Sequence, residues 1–299
     1  MKIAVFGGTG LLGSNLVENY LDKGYEVRAY SRKNSLNIDK CNNNVIDFLS
    51  LENELYKEFD IWSPDIIINT IAMVNLQICE DNYDLAHFVN VEIAKKLALL
   101  AKENKSYFIH ISTDHYYSDL IIKHNETDDI VLLNNYAKTK YEAEKEILGI
   151  NNKALIVRTN IIGYRRNGYE SFFEWLLNSV REEKIVDLYE NFMTSPIDVN
   201  SLGNILIKCF KLKIKNTYNI AASEVIDKYN FGIKTAKIFN YKVDNINKVQ
   251  MINSNKSLNR ATSLGLDVSK IENDLGIKMP KVNEVIINLY KEYKENNFV

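Results

Sequence analysis

The sequence predicts an α/β fold, a doubly wound parallel sheet of Rossmann type with a smaller, interleaved C-terminal lobe. Three observations carry this. Strand-like and helix-like segments alternate through the first 160 residues. Several strand segments, such as "DIIINTIA" and "SYFIHIS", are apolar at consecutive positions, as strands buried on both faces are. A glycine-rich loop, "FGGTGLLG", joins the first strand to the first helix.

Taken in order, "KIAVF" (Lys2 to Phe6) is the first strand, ending at glycines. "LLGSNLVENYLDKG" has helical spacing, with Leu12, Leu16, Tyr20 and Leu21 on one side, and stops at Gly24, a residue suited to helix termination. "YEVRAYS" and "NNVIDF" read as the second and third strands. "SLENELYKEF" reads as a short helix opened by Ser50, with Glu52 and Glu54 in its first turn, where carboxylates suit the helix dipole. "DIIINTIA" is a strand, "NYDLAHFVNVEIAKKLALLAKEN" one long amphipathic helix and "SYFIHIS" another strand. The helix carrying "NNYAKTKYEAEKE" then leads into the strand "ALIVRT". Beyond Thr159 the alternation weakens. "YRRNGYESFFEWLLNSVREEK" predicts a helix, "MTSPIDVNSLGNILIKCF" a turn at Pro196 followed by a helix, and "NTYNIAAS" a strand. No repeat or Pro/Gly/Ser linker separates the halves. Residues 1–160 are expected to form a dinucleotide-binding domain, rejoined by about 194–212, with 161–299 mainly a substrate lobe.

Composition removes several classes. The chain has 299 residues, 46% hydrophobic, enough for a sizeable core. A net charge of -2 gives no strong basic face, so no nucleic-acid partner is expected. No apolar run is long enough to span a membrane, and the N-terminal run is too short and glycine-interrupted for a secretion signal. The three cysteines and four histidines have no metal-ligand spacing. A reduced, cytoplasmic setting without disulfides or a metal site is expected.

Gly7, Gly10 and Gly13 stand at G-x-x-G-x-x-G spacing between a strand and a helix. Such a loop makes a tight turn, lets backbone approach a pyrophosphate at the helix N-terminus and lets the helix pack on the strand. Thr9, Leu11 and Leu12 belong to the same cofactor loop. An acidic residue ending the second strand would bind the ribose hydroxyls of NAD(H). This strand ends in Ser31, Arg32 and Lys33, a hydroxyl and two cations that suit a 2′-phosphate. NADP(H) is therefore favoured, with NAD(H) as the alternative. Asp47 and Phe48, ending the next strand, are candidates to flank the adenine. Tyr136 and Lys140, four residues apart, share one face of a helix. Among them Lys138, Glu142, Glu144, Lys145 and Glu146 read as a solvated face.

These stretches together resemble the extended short-chain dehydrogenase/reductases, and more closely the dTDP-4-dehydrorhamnose reductase family. The likeness rests on "FGGTGLLG", "INTIAMVNLQICEDNYDLAHFVN", "ISTDHYYSD", "NNYAKTKYEAE", "LIVRTN", "SPIDVNSLG" and "RATSLGLDVSKIENDLGI", in family order and nearly end to end. It implies a Thr113, Tyr136 and Lys140 triad, with Thr70, Ile71 and Ala72 beside the cofactor. Ketone reduction needs a hydride on carbon and a proton on oxygen. A phenol, with a pKa near about 10, yields its proton more readily beside an ammonium. Lys140 would supply that charge and hold the cofactor ribose, and Thr113 would donate to the substrate oxygen.

The resemblance also implies a nucleotide-sugar substrate, a place in dTDP-rhamnose or polysaccharide biosynthesis, and a homodimer, which some relatives build through a metal. Departures bear on the sugar. His115 stands where the family has a tyrosine, Ile161 where it has an aromatic, and Ala261 where Pro follows the equivalent of Arg260. His115, Ile161 and Arg260 are the candidate substrate contacts, Arg260 toward the pyrophosphate. An epimerase or dehydratase with retained NAD, or a non-catalytic subunit like the β subunit of methionine adenosyltransferase, are the alternative functions.

Overall fold

The apolar strands of the N-terminal half assemble side by side because both of their faces must be covered. The computed structural model describes residues 1–32, 38, 41–46, 52–117, 122–166, 170–251 and 259–296. They divide into two compact units: 1–113, 134–157 and 203–218 in one, and 114–133, 158–202 and 219–299 in the other. The stretch 114–133 belongs to the second unit and 203–218 to the first.

The first unit is built on a seven-stranded sheet. Its strands are β1 (Lys2–Phe6), β2 (Glu26–Ser31), β3 (Asn42–Val45), β4 (Ile66–Asn69), β5 (Tyr107–Ile111), β6 (Leu155–Arg158) and a last strand, Asn216–Asn219. The third is shorter than "NNVIDF" suggests, and Asp47, Phe48 and Ser50 lie outside the described residues. In space the order runs from the last strand through β6, β5, β4, β1 and β2 to β3. The registers are parallel, for example Val5 opposite Ala29 and Ile68, and His110 opposite Ile156. The order reverses between β1 and β4, the switch point at which open α/β sheets bind ligands beyond their carboxyl ends.

Helices α1 (Leu11–Asp22), α2 (Glu52–Trp62), α3 (Leu76–Asp81), α4 (Tyr83–His87), α5 (Ile93–Glu103) and α6 (Asn135–Ile150) belong to this unit. Phe6, Tyr30 and Phe59 knit β1, β2 and α2, with the Phe6 and Tyr30 rings stacked at 4.6 Å. The single long helix expected over the "NYDLAHFVNVEIAKK" stretch is interrupted. A π turn, Phe88–Glu92, separates α4 from α5.

The second unit has a separate apolar core, centred on Tyr164, Phe173, Leu188, Phe231, Phe239 and Ile286. Strand Asn160–Ile162 pairs in parallel with Pro196–Asp198, and Val186–Tyr189 with Ile246–Val249. Its aromatic helix is shorter than the segment suggested, Phe172–Arg181, because Ser171 and Glu174 form a reciprocal capping box that fixes its start. Helix Val199–Lys211 carries the chain from the second unit back into the first.

Candidate active site

At the carboxyl end of β1 the loop turns so tightly that side chains are excluded. Gly7 has a φ of +86° and a Cβ there would lie 2.5 Å from Thr70 Oγ1. At Gly13 a Cβ would lie 2.2 Å from Gly7 O, so α1 packs directly on the loop. Gly7 N and Gly8 N both donate to Tyr30 O, at 2.8 and 3.2 Å, locking the loop to β2. Helix α1 begins at Gly10 with no side-chain cap and no acidic residue in its first turn. A bound anion is one of the ways such first-turn amides are satisfied, and the loop fits a dinucleotide pyrophosphate. Thr9, Leu11 and Leu12 lie in that loop and turn, Leu12 buried.

Ser31 is buried at the end of β2, and Arg32 beside it is exposed with no carboxylate in the strand end. Lys33 lies outside the described residues. After β4, Thr70 donates its hydroxyl to Phe6 O at 2.8 Å, so that group ties β4 to β1. Ile71 and Ala72, half-buried, continue the same edge.

Helix α6 begins where Asn134 accepts from Ala137 N at 2.9 Å, an N-cap that fixes the register of the helix. One turn in, Tyr136 is 7% exposed and Lys140 1%. Lys140 Nζ donates to Ile111 O at 2.8 Å, docking it on the end of β5. Burial pushes its ammonium down to about 8, opposed by the Glu144 carboxylate. Thr113, also buried, follows two residues after β5. The three residues expected as a triad, Thr113, Tyr136 and Lys140, lie in one unit, with Thr113 just beyond the carboxyl end of β5 and Lys140 docked on Ile111 O.

Glu144 corrects the solvated-face expectation. It is 2% exposed and accepts from Ser112 Oγ at 2.5 Å. Helix periodicity held the clue, since Glu144 lies four residues beyond Lys140 on the same face. Lys138, Lys145 and Glu146 are exposed as expected, and Glu142 is half-exposed against His87 at 3.1 Å.

Three further polar residues, none distinguished by motif, complete the network. Asn90, in the π turn, accepts from Met73 N at 2.7 Å and donates to Thr139 Oγ1 at 3.0 Å. It joins the loop after β4 to the helix that carries Tyr136. Asn69 Nδ2 lies 3.1 Å from His110 Nδ1, and His110 Nε2 lies 3.2 Å from Lys140 Nζ. His110 is fully buried, and burial with the Lys140 charge holds its pKa well below the usual 6.5.

The second unit gathers a different set. Asp114 is buried, accepts from Asn160 Nδ2 at 2.8 Å and lies 3.9 Å from His115 Nε2. Burial raises the Asp114 pKa, while the His115 and Lys228 charges oppose the rise. Burial lowers the His115 pKa; Asp114 opposes this, and Lys228 and Arg260 reinforce it. Lys228 is itself pushed down to about 8 by burial. His115 and Arg260 therefore belong to one electrostatic cluster with Asp114 and Lys228, neither of which had been anticipated from sequence. Ile161 sits half-buried next to Asn160 in the paired strand. Arg260 is exposed.

A switch-point sheet, a glycine cradle and a Tyr-x-x-x-Lys helix define a dinucleotide-binding α/β chain of the short-chain dehydrogenase/reductase type. The match is closer than that class. Residues 1–295 match the family described as RmlD substrate binding domain, and the chain belongs to that family. It is 25% identical over 291 residues to a dTDP-4-dehydrorhamnose reductase of Aggregatibacter actinomycetemcomitans, covering 93% of this chain and 94% of that one. It is 24% identical over 302 residues to a probable low-salt glycan biosynthesis reductase of Haloferax volcanii, covering 99% of each. Its fold matches the crystal structure of a Bacillus anthracis dTDP-4-dehydrorhamnose reductase in complex with NADP. That match has a TM-score of 0.84 at 21% identity, covering 97% of this chain and 98% of that one.

Proposed function

We propose that this chain is an NADP-dependent reductase of a nucleotide-linked 4-keto-6-deoxyhexose. The observation that carries the reading is the buried pair Tyr136 and Lys140, with Lys140 Nζ docked on Ile111 O at the edge where the glycine loop opens. Gly7, Gly10 and Gly13 with the first-turn amides of α1 would hold the pyrophosphate, and Ser31 and Arg32 the 2′-phosphate. NADPH, when bound, supplies the hydride for C4 of the sugar.

Every other step belongs to side chains of this chain. Thr113 donates a hydrogen bond to the carbonyl oxygen and stabilises the charge that grows there. Tyr136 gives that oxygen its proton. The Lys140 ammonium favours the resulting phenolate and holds the cofactor ribose. His115, Ile161 and Arg260 are the candidate contacts of the substrate, with the Arg260 guanidinium suited to its pyrophosphate. The relatives named as reductases support this chemistry.

The test is a panel of nucleotide 4-keto-6-deoxysugars with NADPH, followed by loss of reduced-cofactor absorbance. Turnover of at least one member is expected. Tightly retained NAD(H) and sugar interconversion without NADPH consumption would replace the reading with an epimerase. Absence of all turnover, with stable association to a larger enzyme, would replace it with a regulatory subunit.

A further inference from the structure

The group beneath Lys140 has a consequence for how its proton is held. Asn69 Oδ1 accepts from Ile71 N at 3.0 Å, which fixes the amide orientation and turns Nδ2–H toward His110. Nδ1 of His110 must then accept. A neutral imidazole that accepts at Nδ1 carries its proton on Nε2, and Nε2 is the atom 3.2 Å from Lys140 Nζ. An Nε2–H can only be paired there by a lone pair, which the neutral amine has and the ammonium lacks. The other arrangements each leave a buried donor facing a donor. Placing the proton on Nδ1 sets it against Asn69 Nδ2, and turning the Asn69 amide sets its NH2 against Ile71 N–H. All of these groups lie inside one unit, and Asn69, His110 and Lys140 are at most 1% exposed.

We propose that Asn69 and His110 are positioning residues forming a tautomer lock, which makes the neutral amine the form of Lys140 that this pocket pairs. The lock rests on the reductase reading for its purpose. After Tyr136 has given its proton to the substrate oxygen, a phenolate remains. The Lys140 ammonium passes a proton to it and becomes an amine, whose lone pair accepts from His110 Nε2–H. Solvent then restores the ammonium, which faces His110 Nε2–H with no lone pair to offer and so gives up its proton again readily. A lysine so held reloads Tyr136 readily. Among the described residues, His110 from β5 lies against Nζ and the Glu144 carboxylate from α6 acts on it, while the neutral Asn69 of β4 holds His110. Glu144 works against the lock by favouring the ammonium. Burial by itself also lowers the Lys140 pKa, so the lock acts in addition to it.

The lock is tested in two ways that do not depend on turnover. With only four histidines in the chain, nitrogen-15 spectra of histidine-labelled protein, assigned with single His variants, read the His110 tautomer. The expected wild-type state is neutral with the proton on Nε2. A proton on Nδ1, or a charged ring at pH 7, overturns the proposal. Asn69→Asp keeps the shape and the acceptor for Ile71 N–H but accepts from the imidazole instead of donating. It should move the His110 proton to Nδ1 and raise the Lys140 titration, followed in lysine-labelled protein, by about 1 pH unit or more. Asn69→Ala, which adds no charge, should move it less in the same direction. An unmoved Lys140 titration in both variants overturns the coupling. With a ketosugar substrate, the alkaline limb of the kcat profile should shift upward with Lys140. If no ketosugar is turned over, the reductase reading fails while the two spectral results still decide the lock.

Discussion

Tyr136 is nearly buried, and in the proposed reaction its hydroxyl gives the proton to the ketone oxygen. Tyr136→Phe should therefore keep NADPH binding while lowering kcat about 10²–10⁴-fold, the span of general acid catalysis, as steady-state rates and cofactor titration would show. Arg32 is exposed just after Ser31, where β2 ends without a carboxylate, and its charge suits the proposed 2′-phosphate. Arg32→Ala should raise the Kd for NADPH severalfold and leave that for NADH nearly unchanged, and an equal effect on both would refute the 2′-phosphate assignment. Tyr136 and Lys140 were legible because a four-residue spacing survives any packing. Asn69 and His110 were not, since they pair with each other and with Lys140 across separate elements. Burial alone turns them from ordinary polar positions into a network around one ammonium.

Elements place these residues, and their ends matter more than their middles. The glycine loop was legible as a motif because its physics is local: a tight turn, a close approach and a helix start. Gly13→Ala would drive a Cβ into Gly7 O. The loop must then shift, costing about 1–3 kcal/mol, and cofactor affinity should fall with the melting temperature. The N-cap at Asn134 is similarly readable. Asn134→Ala should cost about 1 kcal/mol of stability, measured by urea unfolding. The π turn at Phe88–Glu92 was not legible, since it inserts one residue into a helical pattern that stays amphipathic on both sides. Its effect is to aim Asn90 at Met73 and Thr139. The third strand ends at Val45, before Ile46 of the expected stretch, and residues 47 and 48 lie outside the described residues.

Across the whole molecule, the parallel sheet followed from β-α alternation, whereas the small strand pairs of the second unit left little sequence trace. Strands of two to four residues are too short for a period to show. The Asp114–Lys228 interaction escaped notice because its members are 114 residues apart in register of the chain. The buried His110 makes overall stability sensitive to acid. Its folded pKa lies well below 6.5, so below that pH the unfolded chain binds a proton that the folded chain refuses. Stability should fall as pH drops from about 6.5. Asp114 and Asp198, whose pKa values burial raises, act in the opposite sense as they take up protons. His110→Gln should therefore unfold with a shallower loss of stability between pH 7 and 5 than the wild type. The most direct measurement of the central claim is NADPH consumption by the wild-type chain and Tyr136→Phe on a nucleotide 4-keto-6-deoxysugar. The account predicts stoichiometric NADPH oxidation and a reduced sugar from the wild type, with near-complete loss in the variant. Wild-type rates from Tyr136→Phe would contradict it.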